Sequence, residues 1–235
     1  MKFYLAWLTL ALSPLFAWSQ SRGDSFPGKL ASPVPMEKLP APTREAILKV
    51  MKSPTVTVLA QAEEFVAHND VYQWLLDHPD RTAIAWRRLG IEAMDIRCTR
   101  DGGFIYKDDQ GTEMMWKCVA KSEAGRIWFA EGRVKPGVLI PSVPVQAVAV
   151  LRHVEKANPK NADSTIKHQV ELFMQTDSKA AAMVTKALGD QAPKMAQAGA
   201  DQLLAFFSGV AKYAHAKPDK ADALFAEEKR TSMQK

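Results

Sequence analysis

The sequence predicts an α+β domain, and three observations carry that prediction. Six segments of strand texture run between residues 93 and 174, separated by turn signals. Two short helices precede them, and one long helix with an apolar side follows. Consecutive strands with short links make an antiparallel meander rather than a parallel sheet.

Taken in order, "TREAILKVM" (43–51) spaces Ile47, Val50 and Met51 along one helix face. The β-branched run "TVTVLAQ" (55–61) reads as a strand. Next, Asp70 is placed to cap a helix from Val71 to Asp77, and Pro79 ends it by disfavouring helical geometry at His78. Asp80 is placed to cap a second helix, "RTAIAWRRL", which Gly90 stops.

The six strands follow: "AMDIRCT" (93–99), "FIYK" (104–107), "TEMMWKCVA" (112–120), "RIWFAEG" (126–132), "VPVQAVAVLRH" (143–153) and "TIKHQVELFM" (165–174). In the fifth, Ala147, Ala149, Leu151 and His153 share a face, but Val148 and Val150 make the alternation imperfect. In the sixth, Ile166, His168, Val170 and Leu172 share a face. The helical remainder reads as "SKAAAMVTKAL" (178–188), a break from Gly189 to Pro193, and a long helix over 194–216. That helix places Leu203, Phe206, Phe207, Val210 and Tyr213 on one side.

With 235 residues and 47% hydrophobic residues, the chain has the means to bury a core. A charge of +5 with scattered Lys and Arg lacks the basic stripe of a nucleic-acid binder. A transient contact with an anionic membrane surface fits the same surplus.

Lys2 followed by an uncharged apolar stretch and Ala17-Trp18-Ser19 matches a cleavable signal peptide over residues 1–19, so export to a periplasm or outside the cell is expected. An uncleaved anchor is the alternative, although the apolar core before Ser13-Pro14 is short for a span. Residues 20–53 read as a Pro-rich linker and short helix, 54–216 as the domain, and 217–235 as a charged, frayed tail. Cys98 and Cys118 fall on the first and third strands of the meander. Alternate strands stand about 9–10 Å apart, beyond the roughly 7 Å that a disulfide spans, so both are expected free.

The element order, and a phrase carried by Val71, Trp74, Leu75, Asp77 and Pro79, resemble the StAR-related lipid-transfer and polyketide-cyclase superfamily, the helix-grip fold. The resemblance covers roughly residues 54–216. It implies a curved antiparallel sheet of about seven strands wrapped around a long C-terminal helix, with a cavity between them. It further implies a hydrophobic small-molecule ligand: a lipid, isoprenoid or sterol-like compound.

Residues suited to such a site are Trp116, Trp128, Ala149, His153, His168, Leu172, Phe206 and Phe207, with Met94, Ile96 and Phe104 as further walls. Aromatic residues on strands are more often plain core than ligand wall. An interaction module of the same fold with a filled interior is therefore the rival reading, and a cyclase or hydrolase a third.

No catalytic, metal or cofactor signature survives inspection. His68-Asn69-Asp70 and His78-Pro79-Asp80 offer imidazole and carboxylate for zinc, but capping already accounts for each Asp. Ser164 and Lys167 match S-x-x-K, yet a strand sends them to opposite faces. His153 and His168 share a face a few residues apart, and no acidic residue shares their phase on either strand. The sequence names no protein partner.

Overall fold

The computed structural model describes residues 33–226 apart from 109–110, 136–140, 160, 162, 178, 180 and 183–190. The expected signal segment, the linker up to residue 32, residues 227–235 and most of the helix expected over 178–188 lie outside the described residues.

The elements are α1 (Ala41–Lys52), β1 (Val56–Leu59), β2 (Glu63–Ala67), α2 (Asn69–Asp77), α3 (Pro79–Arg88), β3 (Ile96–Cys98), β4 (Phe104–Lys107), β5 (Glu113–Ser122), β6 (Gly125–Val134), β7 (Val143–Ala157), β8 (Ser164–Gln175), α4 (Gln191–Ala216) and α5 (Pro218–Phe225). The strands form one antiparallel sheet in the order β1-β8-β7-β6-β5-β4-β3, with β2 also paired to β8. The class is α+β: a curved open sheet with a C-terminal helix against its inner face.

The first strand differs from expectation in a way that matters for the interior. β1 and β2 are two halves of one line along β8. Between them Ala60, Gln61 and Ala62 face only Gln169 and Val170, so one residue is extra. Such a bulge reverses which side chains point inward. Before it Val58 is buried inside; after it the inward set is Glu63, Phe65 and Ala67. The backbone groups freed at the bulge are satisfied by side chains. Gln169 Nε2 donates to Ala60 O at 2.9 Å, and Gln61 N donates to Asp201 Oδ1 at 3.3 Å.

The corner between α2 and α3 forms where the sequence breaks, but neither aspartate caps as expected. The N-cap of both helices is a histidine, His68 and His78, with no side-chain cap bond. Pro79 takes the first position of α3, where its missing N–H costs nothing. Thr82 ties the corner instead, its hydroxyl donating to Leu75 O and His78 O. Gly90 ends α3 with a positive φ of 76°; its N–H reaches Arg87 O and the Ile91 N–H reaches Trp86 O, the paired closure of a Schellman motif.

The outer face of the sheet is covered as well. Ile47 and Val50 of α1 pack with Val34, Leu39, Ile127, Val148, Val150 and Phe173. The short helix expected over 43–51 is present as α1, while Val34 and Leu39, in the stretch read as linker, are packed against the sheet. This cover explains the imperfect alternation in β7, because both of its faces are buried. The expected frayed tail is likewise helical to Phe225: Leu224 is buried, Arg88 Nη1 donates to Leu224 O at 2.6 Å, and the Phe225 ring meets Trp74 edge-on. Cys98 and Cys118 are both free, on strands separated by β4. No helix among the described residues is long and apolar enough to cross a membrane.

Candidate functional site

The β7–β8 register puts His153 directly opposite His168, closer than the few-residue offset expected. The β2–β8 register puts Glu63 opposite His168 on its other side. A carboxylate does therefore share the histidine's face. It comes from the half-strand beyond the bulge, which the sequence reading left out.

Four elements build a polar chain around this pair. The Tyr72 hydroxyl of α2 lies 2.8 Å from His168 Nδ1, and His168 Nε2 lies 3.1 Å from Glu63 Oε2. On α4, Ser208 Oγ donates to the same oxygen at 2.7 Å, and Lys212, one turn on, donates to Glu63 Oε1. These partners fix the protonation states. Burial pushes the His168 imidazole below its ordinary value, with the Glu63 carboxylate opposing, so it is neutral. Its Nε2–H donates to Glu63, leaving Nδ1 to accept from Tyr72. Burial would raise the Glu63 carboxyl, but hydrogen bonds from His168, Lys212 and Ser208, together with the Lys212 charge, hold it at about 2. Burial pushes the Tyr72 phenol up, so it stays a donor.

His153 sits beside this chain with its ring edge-on to Tyr72. Its Nε2 is 2.6 Å from Gln73 Nε2, and the Gln73 oxygen accepts from Arg126 Nη2 at 2.9 Å. Gln73 therefore donates to the imidazole. Burial first, then the charge of Arg126, lowers the His153 pKa to about 4. Arg126 is only 4% exposed and also pairs with Asp77 at 3.0 Å.

This group is an acid–base set in composition but not in access. Tyr72, His168 and Ser208 have no exposed surface, and both His168 nitrogens are engaged. General acid–base chemistry needs a group within hydrogen-bond reach of a substrate proton. Here the reach is taken up inside the protein, and the chain of bonds joins sheet, α2 and α4.

The apolar candidates come together in one largely buried cluster. Trp128, Ala149 and Leu172 are successive partners across β6, β7 and β8. The Trp128 ring lies parallel to Phe207 of α4, 4° between planes and 6.0 Å between centroids, and Phe206 meets Phe207 edge-on at 5.0 Å. A lipid-sized void would leave its walls with surface open to a water-sized sphere. Ala149 has none, and Phe207 has 3%. Trp116 is half-buried at the rim of this core. Met94 is 41% exposed and lines nothing inside, contrary to expectation.

Two surface clefts among the described residues lie elsewhere. A cleft of about 630 Å³ is bordered by Lys49, Glu131, Arg133, Gln146 and Gln175, and one of about 370 Å³ by Asp77, Phe104, Cys118 and Lys121. None of the eight expected ligand residues borders either.

Among the described residues, one group carries donors close enough together for a metal ion: His68, Asp163 and His215. The sequence offers His68 only the neighbouring Asp70 and the His78-Pro79-Asp80 phrase as candidate co-ligands, because residues 163 and 215 join it only through the fold.

No known family model matches the chain, and no curated protein matches it. Among solved structures, a putative uncharacterized protein from Rhizobium leguminosarum is similar over 66% of this chain and 99% of its own, at 13% identity and a TM-score of 0.26. A likeness that low carries no functional argument.

Proposed function

We propose that this chain is an exported helix-grip domain of the StAR-related and polyketide-cyclase type that works as an interaction module. Its interior is filled, and its surface meets what it binds. The element order, the strand line along β8 and the C-terminal helix support the fold assignment. The basic, apolar, small-residue order of residues 1–19 supports export.

The observation that carries the choice over a lipid carrier is the stack of Trp128 on Phe207 together with an Ala149, Trp128's strand partner, without open surface. Emptying a space of about 300 Å³ there would cost on the order of 7 kcal/mol, at roughly 24 cal/mol per Å³. That is a large share of the 5–15 kcal/mol that typically holds a domain together. Exposed apolar side chains such as Leu59, Val66, Met115 and Val154 give the outside something for a partner to cover.

The test is titration of the full chain with fluorescent fatty acid, sterol and isoprenoid probes, beside native mass spectrometry of protein purified from its source. The proposal expects no saturable uptake and a bare protein mass. One-to-one saturable binding, or a co-purified lipid, would restore the carrier reading.

A further inference from the structure

The His68, Asp163 and His215 side chains come from three separate elements, and the fold brings their ends to one point at the rim. Ala67 pairs with Ser164 at the last register position of β2 with β8, so the residues just beyond, His68 and Asp163, are neighbours. A carboxylate fastens that junction: Glu155 accepts from both Asn69 Nδ2 and Ser164 Oγ, one residue after each. His215 arrives from the last turn of α4.

At the meeting point, Asp163 Oδ1 is 3.3 Å from His215 Nδ1 and 3.7 Å from His68 Nδ1. The other carboxylate oxygen, Oδ2, is held by the Asn161 amide at 2.7 Å, which fixes the orientation of Oδ1. The two imidazole rings meet edge-on at 5.4 Å. All three side chains are partly buried, at 36%, 23% and 28% exposure for His68, Asp163 and His215.

Two features set this apart from an ordinary surface ion pair. His215 Nδ1 is buried with no hydrogen-bond partner, although it faces a carboxylate oxygen. A buried polar nitrogen left that way is costly unless something else completes it. The spacing also already suits a metal. Donors bound to a tetrahedral zinc at about 2.0–2.2 Å stand about 3.2–3.6 Å apart. One ligand atom from each of the three residues lies within 4.8 Å of the others, so small rotations of the rings would complete the set.

We propose that His68, Asp163 and His215 form a binding site for a divalent first-row metal ion, with zinc the best suited. Two imidazoles and one carboxylate are ligands zinc accepts, and partial exposure leaves a fourth position for water or a ligand from a partner. The carbonyl end of α4 favours a cation there. The Asn161 amide on Asp163 Oδ2 acts as the outer support that metal ligands normally need. The site lies on the surface and goes beyond the interaction-module reading without depending on it.

The experiment uses the full chain, stripped with chelator and titrated with Zn²⁺ alone by calorimetry, and with Co²⁺ by absorption spectroscopy. The expected result is one equivalent per chain, a Co²⁺ spectrum of low coordination number, and a Zn²⁺-dependent rise in melting temperature. His215→Gln and His68→Gln keep side-chain bulk and should each weaken Zn²⁺ binding at least tenfold. His78→Gln, outside the cluster, should leave it unchanged. Loss of stability in His215→Gln without any metal binding by the parent would show an ion pair only and overturn the proposal. So would Zn²⁺ binding that survives both cluster substitutions.

Discussion

The Tyr72 hydroxyl and the His168 Nδ1 nitrogen are 2.8 Å apart, and neither side chain has exposed surface. The bond joins α2 to β8 at the middle of the interior, and it makes the histidine's tautomer a structural matter. Removing the hydroxyl leaves a buried acceptor without a donor, which costs about 1–3 kcal/mol. Tyr72→Phe should therefore lower stability by that amount in chemical denaturation with the slope unchanged. An unaffected midpoint would mean that the bond contributes nothing.

Acid should destabilise the domain in two stages, and the signs follow from the shifts. His153 is held at about 4 in the folded protein against an ordinary 6.5, so the unfolded chain takes up the proton first. Its contribution is complete above about pH 6.5 and is lost as pH falls toward 4. Glu63, held at about 2 against 4.5, contributes fully above about 4.5 and loses that contribution as pH falls toward 2. Melting temperatures measured from pH 8 to pH 3 should start to fall below about 6.5. His168, which burial also holds below its ordinary value, likewise loses its contribution as pH falls below about 6.5. His153→Gln should therefore reduce the slope of the first stage without abolishing it, and leave the second. A slope below pH 6.5 unchanged in that variant would place its origin in other groups.

Gly209 gives a case where two effects oppose. Alanine in place of a mid-helix glycine gains roughly 0.5–1 kcal/mol from helix propensity. At this position, however, a Cβ would stand 2.5 Å from the Trp86 ring, which rests on the glycine and donates Nε1–H to Phe206 O at 2.9 Å. A rigid indole cannot yield without losing that bond and the packing of α3 on α4. Gly209→Ala should thus destabilise, by about 1–3 kcal/mol. A gain in stability on thermal melting would show that the contact relaxes freely.

What the sequence revealed and what it hid divide along a physical line. Strand and helix periods are local, so β4 to β8 and α4 could be placed to within a few residues from alternation, turn glycines and helical spacing. β2 escaped because "EEFVA" begins with two carboxylates, and its inward phase follows from the bulge at 60–62, which no periodicity displays. The docking of residues 33–52 was hidden for the same reason that β7 looked irregular: two buried faces read as broken alternation. His153 and His168 were singled out correctly as facing inward. Their partners Glu63, Tyr72 and Gln73 lie 80 to 105 positions away in the chain, beyond the reach of spacing arguments. The His68, Asp163 and His215 cluster is hidden more thoroughly still, since each residue alone reads as a cap, a loop acid or a helix-end histidine.

Whether the interior is solid decides between the interaction module and the lipid carrier, and Ala149→Trp asks that directly. Ala149 lies between Trp128 and Leu172 in neighbouring strands, in the same buried cluster as Phe207. In a filled interior the added indole overpacks the core, and the expected result is a loss of about 1–3 kcal/mol or more in equilibrium unfolding. A variant as stable as the parent, with its new indole buried by fluorescence, would mean that a space was waiting to receive it, and would contradict the account.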